Sequence, residues 1–323
     1  MSRINFIDFA KGIGILLIVM CHVGIKQEQI YIFYAAQVPL FFVLSGLFFE
    51  KSYQKGRFII KKVNTILAPF MVYYLLSYVI FYILKAVVGG TNPMVSNYSG
   101  AFDILSQRLL FNGPIWFLLC LFEVELMFYL LFRFFTNKVI KILICIGLFI
   151  VGCILGNKQM FIPLKIDASF VAMPFFYLGI LLGREKWFVG NMKWGVALVL
   201  AVLSFVPYLI FPCKIDMNAG LYMGNTFLLW LGCLGLVMCI IFISKAFCYN
   251  VIINWLGVNS LVIMCTHHLV YRPVKLGLSM VGGADPVRIL ILTLMIEVPV
   301  VLFINKYCSM LTGKFYWMKY LEK

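Results

Sequence analysis

Long apolar runs recur along the whole 323-residue chain, and only short polar connections separate them. A run of about 20 apolar residues is long enough to cross a bilayer as a helix. The pattern therefore predicts an all-α, polytopic membrane protein with about ten transmembrane helices. The predicted spans are 6–25, 32–50, 63–86, 114–132, 139–156, 168–183, 194–212, 224–244, 255–271 and 288–305.

The composition excludes a soluble class. Hydrophobic residues make up 63% of the chain and charged residues only 12%, too few charges to cover a water-exposed surface. The connections are too short for a soluble domain, so residues 1–323 are expected to form one membrane-embedded domain. The first apolar run contains Asp8 and Lys11 and no small-residue cleavage site, so it is interpreted as a retained span, not a signal peptide.

Basic residues set the expected orientation. The net charge is +15, and about two thirds of the 27 lysines and arginines fall in segments on the same side as the N-terminus. Both termini are therefore predicted to be cytoplasmic. This topology explains the positive charge without a nucleic-acid partner. The ten cysteines form no C-x-x-C pair, so neither a metal site nor a disulfide framework is predicted.

The first span carries three polar residues on one face. At about 100° per residue, Asp8, Lys11 and His22 point in a similar direction, and Lys11 and His22 lie about 16 Å apart along the helix. Ionisable groups within a span propose a functional site. His22 is a candidate general base, with a hydrogen-bonded structural histidine as the alternative. Asp8 and Lys11 can form an ion pair, which is the simpler interpretation of Asp8.

A basic loop follows the second span. Five basic residues lie between Glu50 and Lys62, among them Arg57 and Lys61. Such a cluster can bind anionic lipid or the phosphates of a nucleotide-like molecule, or simply reflect topology. The preceding Ser45-Gly46 pair is typical of close helix packing.

Two later spans contain further polar groups. Glu123 and Glu125 are two residues apart, so they point about 200° apart and cannot face one cavity; one is expected to pair with a histidine or lysine elsewhere. His267 and His268 are adjacent and diverge by about 100°, which is poor geometry for a shared metal ligand pair.

The segment from Arg3 to His22, with ten residues between Lys11 and His22, resembles the start of the acyltransferase 3 family of integral membrane O-acyltransferases. The resemblance is closest to the branch described as fucose 4-O-acetylase-like. Further segments resemble family motifs along the chain. They are 39–46, 61–69, 114–118, 259–267 and 305–314.

The resemblance implies a ten-helix enzyme that moves an acyl group, usually acetyl, from cytoplasmic acyl-CoA to a hydroxyl of a sugar or glycan. It would act in the cell membrane of a bacterium, with no metal. His22 would take the family histidine's catalytic role and Lys11 that of its basic partner, oriented by Asp8. The implied donor-binding residues are Arg57, Lys61 and Lys62. Further candidates are Ser45, Trp116, Glu123 and His267.

Two departures from the family pattern bear on this expectation. The cytoplasmic motif of the family has two arginines, whereas this chain has Lys62 and then Thr65 at that spacing. The extracellular SGNH-type domain of some relatives is not recognised, so the membrane part would complete the transfer itself or hand over to another protein. The acceptor, the acyl length and the oligomeric state are not predicted.

Two other classes stay open. A transporter or flippase for a lipid-linked sugar would also combine many spans with sparse buried charges. Such proteins show discontinuous helices and repeat symmetry, neither of which is recognised in the sequence. A non-catalytic partner in polysaccharide assembly is the third class. Dependence of any activity on CoA discriminates the acyltransferase from both.

Overall fold

The computed structural model describes residues 5–25, 34–54, 56–91, 95–106, 110–223 and 226–314. The predicted starts of the second span (residues 32 and 33) and of the eighth (224 and 225) lie outside these residues, as do both chain ends. The described chain is helical apart from one short hairpin, so the all-α prediction is confirmed.

The helices follow one another with short connections. They are α1 (Asn5–His22), α2 (Gln37–Gly46), α3 (Phe49–Gln54), α4 (Phe58–Lys62), α5 (Ala68–Val88), α6 (Asp103–Ser106), α7 (Trp116–Phe134), α8 (Lys138–Asn157), α9 (Ile166–Arg184), α10 (Lys186–Val189), α11 (Trp194–Ile210), α12 (Thr226–Phe247), α13 (Val251–Val258), α14 (Ser260–Met280) and α15 (Pro286–Tyr307). A π-helical segment, Val63–Leu67, joins α4 to α5, and 3₁₀ turns occur at Gly113–Ile115, Pro163–Lys165 and Ser309–Thr312.

Seven helical segments in the described part of the chain are long and apolar enough to cross a membrane. An eighth crossing is made if α13 and α14, which are bent by 85° at Asn259, count as one broken span. The remaining two predicted spans correspond to α2 and α11, with 10 and 17 residues. The multi-pass architecture is confirmed, whereas the count of ten stays a prediction.

The bend between α13 and α14 differs from the single straight span expected at 255–271. Asn259 stands at the break, and its side-chain amide donates to the carbonyl of Trp255 (2.8 Å). Its side-chain oxygen accepts from the amide of Asn305 on α15 (2.8 Å). These bonds satisfy polar groups where the helix is interrupted, as a break inside the bilayer requires. A discontinuous helix is therefore present that the sequence did not reveal.

Helix α1 is central to the bundle and packs against α2, α12, α13 and α14. Glycines permit its closest approach to α13. A Cβ atom on Gly12 would overlap the carbonyl of Ile253, and one on Gly257 would overlap the carbonyl of Asp8. Because the two backbones touch here, α13 is held directly against the N-terminal half of α1.

The hairpin connects α11 to α12. Strands β1 (Lys214–Asp216) and β2 (Leu221–Met223) pair antiparallel, with Ile215 opposite Tyr222. The alternation of side chains buries Ile215 and Tyr222 and turns their neighbours outward. The hairpin lies against α8, α12 and the Pro163–Lys165 turn, through contacts that include the bond between Lys165 and Asn218.

Candidate active site

His22 is the last residue of α1 and lies against both histidines of α14. Its ring centroid is 5.2 Å from that of His267 and 4.9 Å from that of His268. Two neighbouring residues of a helix diverge by about 100°, and a ring from another helix fits into the angle between them. The three imidazoles therefore form one cluster, which we call the histidine cluster.

The hydrogen bonds of the histidine cluster leave one imidazole nitrogen able to accept a further hydrogen bond. Among the described residues, no three His, Cys, Asp or Glu side chains are placed to hold a metal ion. The Nδ1 of His267 lies 2.7 Å from the carbonyl oxygen of Ile263. Because a carbonyl only accepts, Nδ1 carries the hydrogen and the Nε2 of neutral His267 has a free lone pair.

A small cavity of about 40 Å³ adjoins His22. Gln37 and Phe41 of α2, Trp116 of α7 and Met264 of α14 are among its lining residues. The volume accommodates one or a few water molecules. The structure thus brings together His22, His267 and Trp116, three of the candidates identified from the sequence.

Three buried polar atoms, two in the histidine cluster and one in the cavity wall, have no hydrogen-bond partner among the described residues. They are the Nε2 of His267, the Nδ1 of His268 and the Oε1 of Gln37. Buried polar atoms are normally paired with protein groups or ordered water, so these three atoms are candidates to bind a polar group. A group that donates hydrogen bonds, such as a hydroxyl, matches the lone pairs of His267 and Gln37.

Hydrogen bonds fix the walls of the site. The Asn112 amide donates to the Ser77 hydroxyl (3.0 Å) and to the carbonyl of Cys265 (2.8 Å), which ties α5 and the start of α7 to α14. One turn beyond His268, Arg272 donates to the hydroxyl of Tyr98 (3.0 Å). The 95–106 connection is thereby attached to the helix that carries the histidines.

Lys11 and Asp8 lie in the opposite half of α1. The helix is continuous from Asn5 to His22, so Lys11 and His22 are about 16 Å apart along it. Both polar residues are half-buried. They occupy the stretch that α13 covers at Gly12, and so they are remote from the small cavity.

Lys62 is held by a carboxylate. Its ammonium lies 2.7 Å from the Oε1 and 2.6 Å from the Oε2 of Glu125, whose side chain is only 2% exposed. Glu125 is nine residues after Trp116 on α7, or about 13 Å along the helix. The expected pairing of one carboxylate with a lysine is therefore observed, at a distance from the histidine cluster.

The other carboxylate of α7 points elsewhere, as its spacing indicated. Glu123 accepts a hydrogen bond from the hydroxyl of Ser169 on α9 (2.6 Å). Its position joins α7 to α9 and is not part of the cavity lining. Neither Glu123 nor Glu125 has a recorded contact with His22 or Lys11 among the described residues.

The remaining candidates lie away from His22. Arg57 is exposed and Lys61 half-exposed at the two ends of α4. Ser45 precedes Gly46, at which an added Cβ would overlap the carbonyl of Phe176 on α9. The Ser45-Gly46 pair thus belongs to a close helix crossing, which is the packing interpretation of this motif.

The sequence analysis missed a buried carboxylate that is hydrogen-bonded to the helix carrying His267 and His268. Glu297 of α15 is fully buried and accepts a hydrogen bond from Thr266 (2.8 Å), the residue before His267. Its second oxygen, Oε1, has no hydrogen-bond partner in the part of the chain that the structure describes. The signal was present in the sequence as a lone carboxylate within the apolar run 289–304.

A protein-family model described as an acyltransferase domain matches residues 4–312. The chain belongs to this acyltransferase family. The match spans both the α1 residues and the histidines of α14 that form the cluster. No curated protein and no solved structure is significantly similar to the chain. The family of the chain is therefore established. Its assignment to an acetyl-transferring branch is an expectation that rests on the sequence motifs alone.

Proposed function

We propose that this membrane acyltransferase moves an acetyl or related acyl group from cytoplasmic acyl-CoA to a hydroxyl of a cell-envelope or extracellular glycan. The observation that carries the proposal is the histidine cluster beside a small cavity. It lies about 16 Å along α1 from the lysine-bearing half of the same helix. A cell membrane of a bacterium is the proposed location.

The acceptor end is assigned to His22. A hydroxyl becomes a competent nucleophile when a base takes its proton as it attacks, and imidazole titrates in the range suited to this step. His22 faces the cavity, and the unpaired acceptors on His267 and Gln37 suit the orientation of a hydroxyl-rich molecule. Trp116 contributes a flat apolar surface to the cavity wall.

The donor end is assigned to the basic residues on the other side of the bundle. Lys61 and Arg57 are the proposed partners of the CoA phosphates, because phosphate is bound by lysine and arginine at exposed positions. Lys62 is given a structural role instead, since Glu125 already neutralises it. Lys11, oriented by Asp8, would line the path between the donor phosphates and His22.

The proposed reaction is a direct transfer. The acceptor oxygen forms a bond to the thioester carbon as His22 takes its proton, and the bond from that carbon to sulfur breaks. The CoA thiolate then takes up a proton, so the products are the O-acyl glycan and free CoA. The donor end and the acceptor end are separated along α1. The thioester-bearing arm of acyl-CoA would have to be extended to reach from one end to the other.

The test uses His22→Ala in membrane vesicles supplied with radiolabelled acetyl-CoA, with glycan O-acetylation as the readout. We expect loss of at least a hundredfold, the size of contribution that a general base makes. Cys239→Ala is the control, because it shortens a side chain on α12 that does not line the cavity, and it should retain activity. Transfer that persists in normally expressed His22→Ala would overturn the assignment.

Sealed vesicles of known orientation test the direction. Acetyl-CoA added on the cytoplasmic face should support transfer, and acetyl-CoA added on the other face should not. Binding only from the outer face would contradict either the topology or the placement of the donor. Comparison of envelope glycans with and without the protein by mass spectrometry then identifies the acceptor from the lost acetyl mass.

One observation favours the transport alternative. The broken pair α13–α14 is the kind of discontinuous helix that many transporters place at their substrate site. Family membership favours the acyltransferase, and CoA separates the two functions. A transporter would move its sugar substrate in vesicles without any acyl donor.

A further inference from the structure

An apolar groove lies far from the histidine cluster, between α8, α9 and α12. Its volume is about 560 Å³, and it shares no lining residue with the cavity beside His22. Ile142 and Phe149 of α8, Leu181 of α9 and Trp230 of α12 are among the residues that form its walls. From Ile142 to Phe149 the groove follows α8 for about 10 Å.

Cations stand at one end of this groove on both flanking helices. On α8, Lys138, Lys141 and Cys145 recur at three- and four-residue spacing, so the two lysines continue the face that lines the groove. On α9, Leu181 is followed three residues later by Arg184. The groove therefore leads from an apolar floor to a basic mouth.

The basic mouth carries more positive than negative charge. The ammonium of Lys141 lies 3.9 Å from the ring centroid of Phe132, and its side chain is buried. Arg184 is paired with Glu50. Lys138, Arg184 and Glu50 are close enough to Lys141 for their charges to act on its ammonium, and Glu50 is the one carboxylate among these groups. Three cations thus share one anion.

We infer that this groove binds an acyl chain of an anionic glycerophospholipid, whose phosphate lies at the exposed Lys138 and is attracted by the buried charge of Lys141. The apolar walls lie on three helices that are long and apolar enough to cross a membrane, which favours a hydrocarbon chain over a soluble anion. The excess positive charge at the mouth favours an anionic over a zwitterionic headgroup, since basic pockets between spans attract anionic lipid. The inference is independent of the acyl-transfer proposal.

Trp230 provides a local reporter for the test. The purified protein is placed in bilayers that contain increasing fractions of brominated phosphatidylglycerol or brominated phosphatidylcholine, and bromine on the acyl chain quenches nearby tryptophan fluorescence. The signal lost in Trp230→Phe is the contribution of the groove. We expect the phosphatidylglycerol to quench this contribution at a several-fold lower mole fraction than the phosphatidylcholine.

Removing a cation and removing the carboxylate should change the preference for phosphatidylglycerol in opposite directions. Replacing Lys138 and Lys141 by Gln should reduce the preference for phosphatidylglycerol about fivefold per cation, from roughly 1 kcal/mol per basic residue. Glu50→Gln removes the opposing carboxylate and should strengthen the preference. Lys158→Gln is the matched control at the opposite end of α8, where the preference should not change.

Each other result overturns the inference. Equal quenching by both lipids would mean that the groove takes bulk lipid without regard to charge. A preference that survives the loss of Lys138 and Lys141 would place the headgroup elsewhere. No quenching by either lipid, together with elution as a dimer, would assign the groove to a second copy of the chain. Far-UV circular dichroism and elution volume verify that each variant is folded.

Discussion

The ion pair between Lys62 and Glu125 gives the most direct test of the described packing. Glu125 is 2% exposed and Lys62 is 15% exposed, so both charges are largely removed from water. At 2.6–2.7 Å their attraction is about 6 kcal/mol with an effective dielectric constant of about 20, and desolvation of the two ions offsets most of it. Neutralising only one member leaves the other buried and uncompensated.

Glu125→Gln should therefore lower the free energy of unfolding by about 3–5 kcal/mol, and Lys62→Met by a similar amount. The double variant should recover most of the loss, because no unpaired charge remains. The measurement is reversible unfolding by SDS in mixed micelles, followed by tryptophan fluorescence and analysed as a double-mutant cycle.

The second ion pair provides the control. Glu50 and Arg184 are 28% and 31% exposed, so Glu50→Gln should reduce the free energy of unfolding by less than about 1 kcal/mol. If Glu125→Gln had no larger effect than Glu50→Gln, the argument from burial would be refuted. Lys62 would then be available to bind a phosphate, and its exclusion from the donor site would be wrong.

Three further changes probe other contacts. Gly257→Ala should destabilise the fold by about 1–3 kcal/mol, because the added methyl overlaps the backbone of α1. Gly147→Ala is the control, because nothing lies within 4 Å of a methyl added there. Thermal unfolding compares the stability of the two variants. Asn112→Ala leaves two neighbours without a donor and should lower the free energy of SDS unfolding by about 1–3 kcal/mol. Asp103→Ala removes the carboxylate that accepts from Tyr78 (2.8 Å) and from two backbone amides, so the 95–106 connection should be cut faster in limited proteolysis; an unchanged rate would mean that these bonds do not order it.

The helical architecture was predictable because a bilayer forces backbone groups to pair within each span. Length and apolarity alone therefore located most of the long helices. The divergence of Glu123 and Glu125 was also predictable, since it follows from the geometry of one helix. The structure confirms it by directing Glu123 to Ser169 and Glu125 to Lys62.

Contacts between helices distant in sequence were not predictable from a single chain. The 100° divergence of His267 and His268 counted against a shared metal site, and His267 alone stayed a candidate. The missing information was that His22 of α1 lies in that angle. The bend at Asn259 was missed for a similar reason, because the side chain that supports it, Asn305, comes from another helix.

The bend between α13 and α14 also determines where His267 and His268 lie along their helix. Drawn straight, residues 251–280 would extend about 45 Å, well beyond a hydrocarbon layer of about 30 Å. The 85° turn takes α13 off this axis, and α14 continues on its own axis for 21 residues, about 32 Å. The imidazoles of His267 and His268 lie about 10–12 Å from the start of α14, and moving the turn by one residue would shift them by about 1.5 Å. The position of the imidazoles along α14 is thus set by a joint that contains neither of them, and a single inserted residue there would move them away from His22.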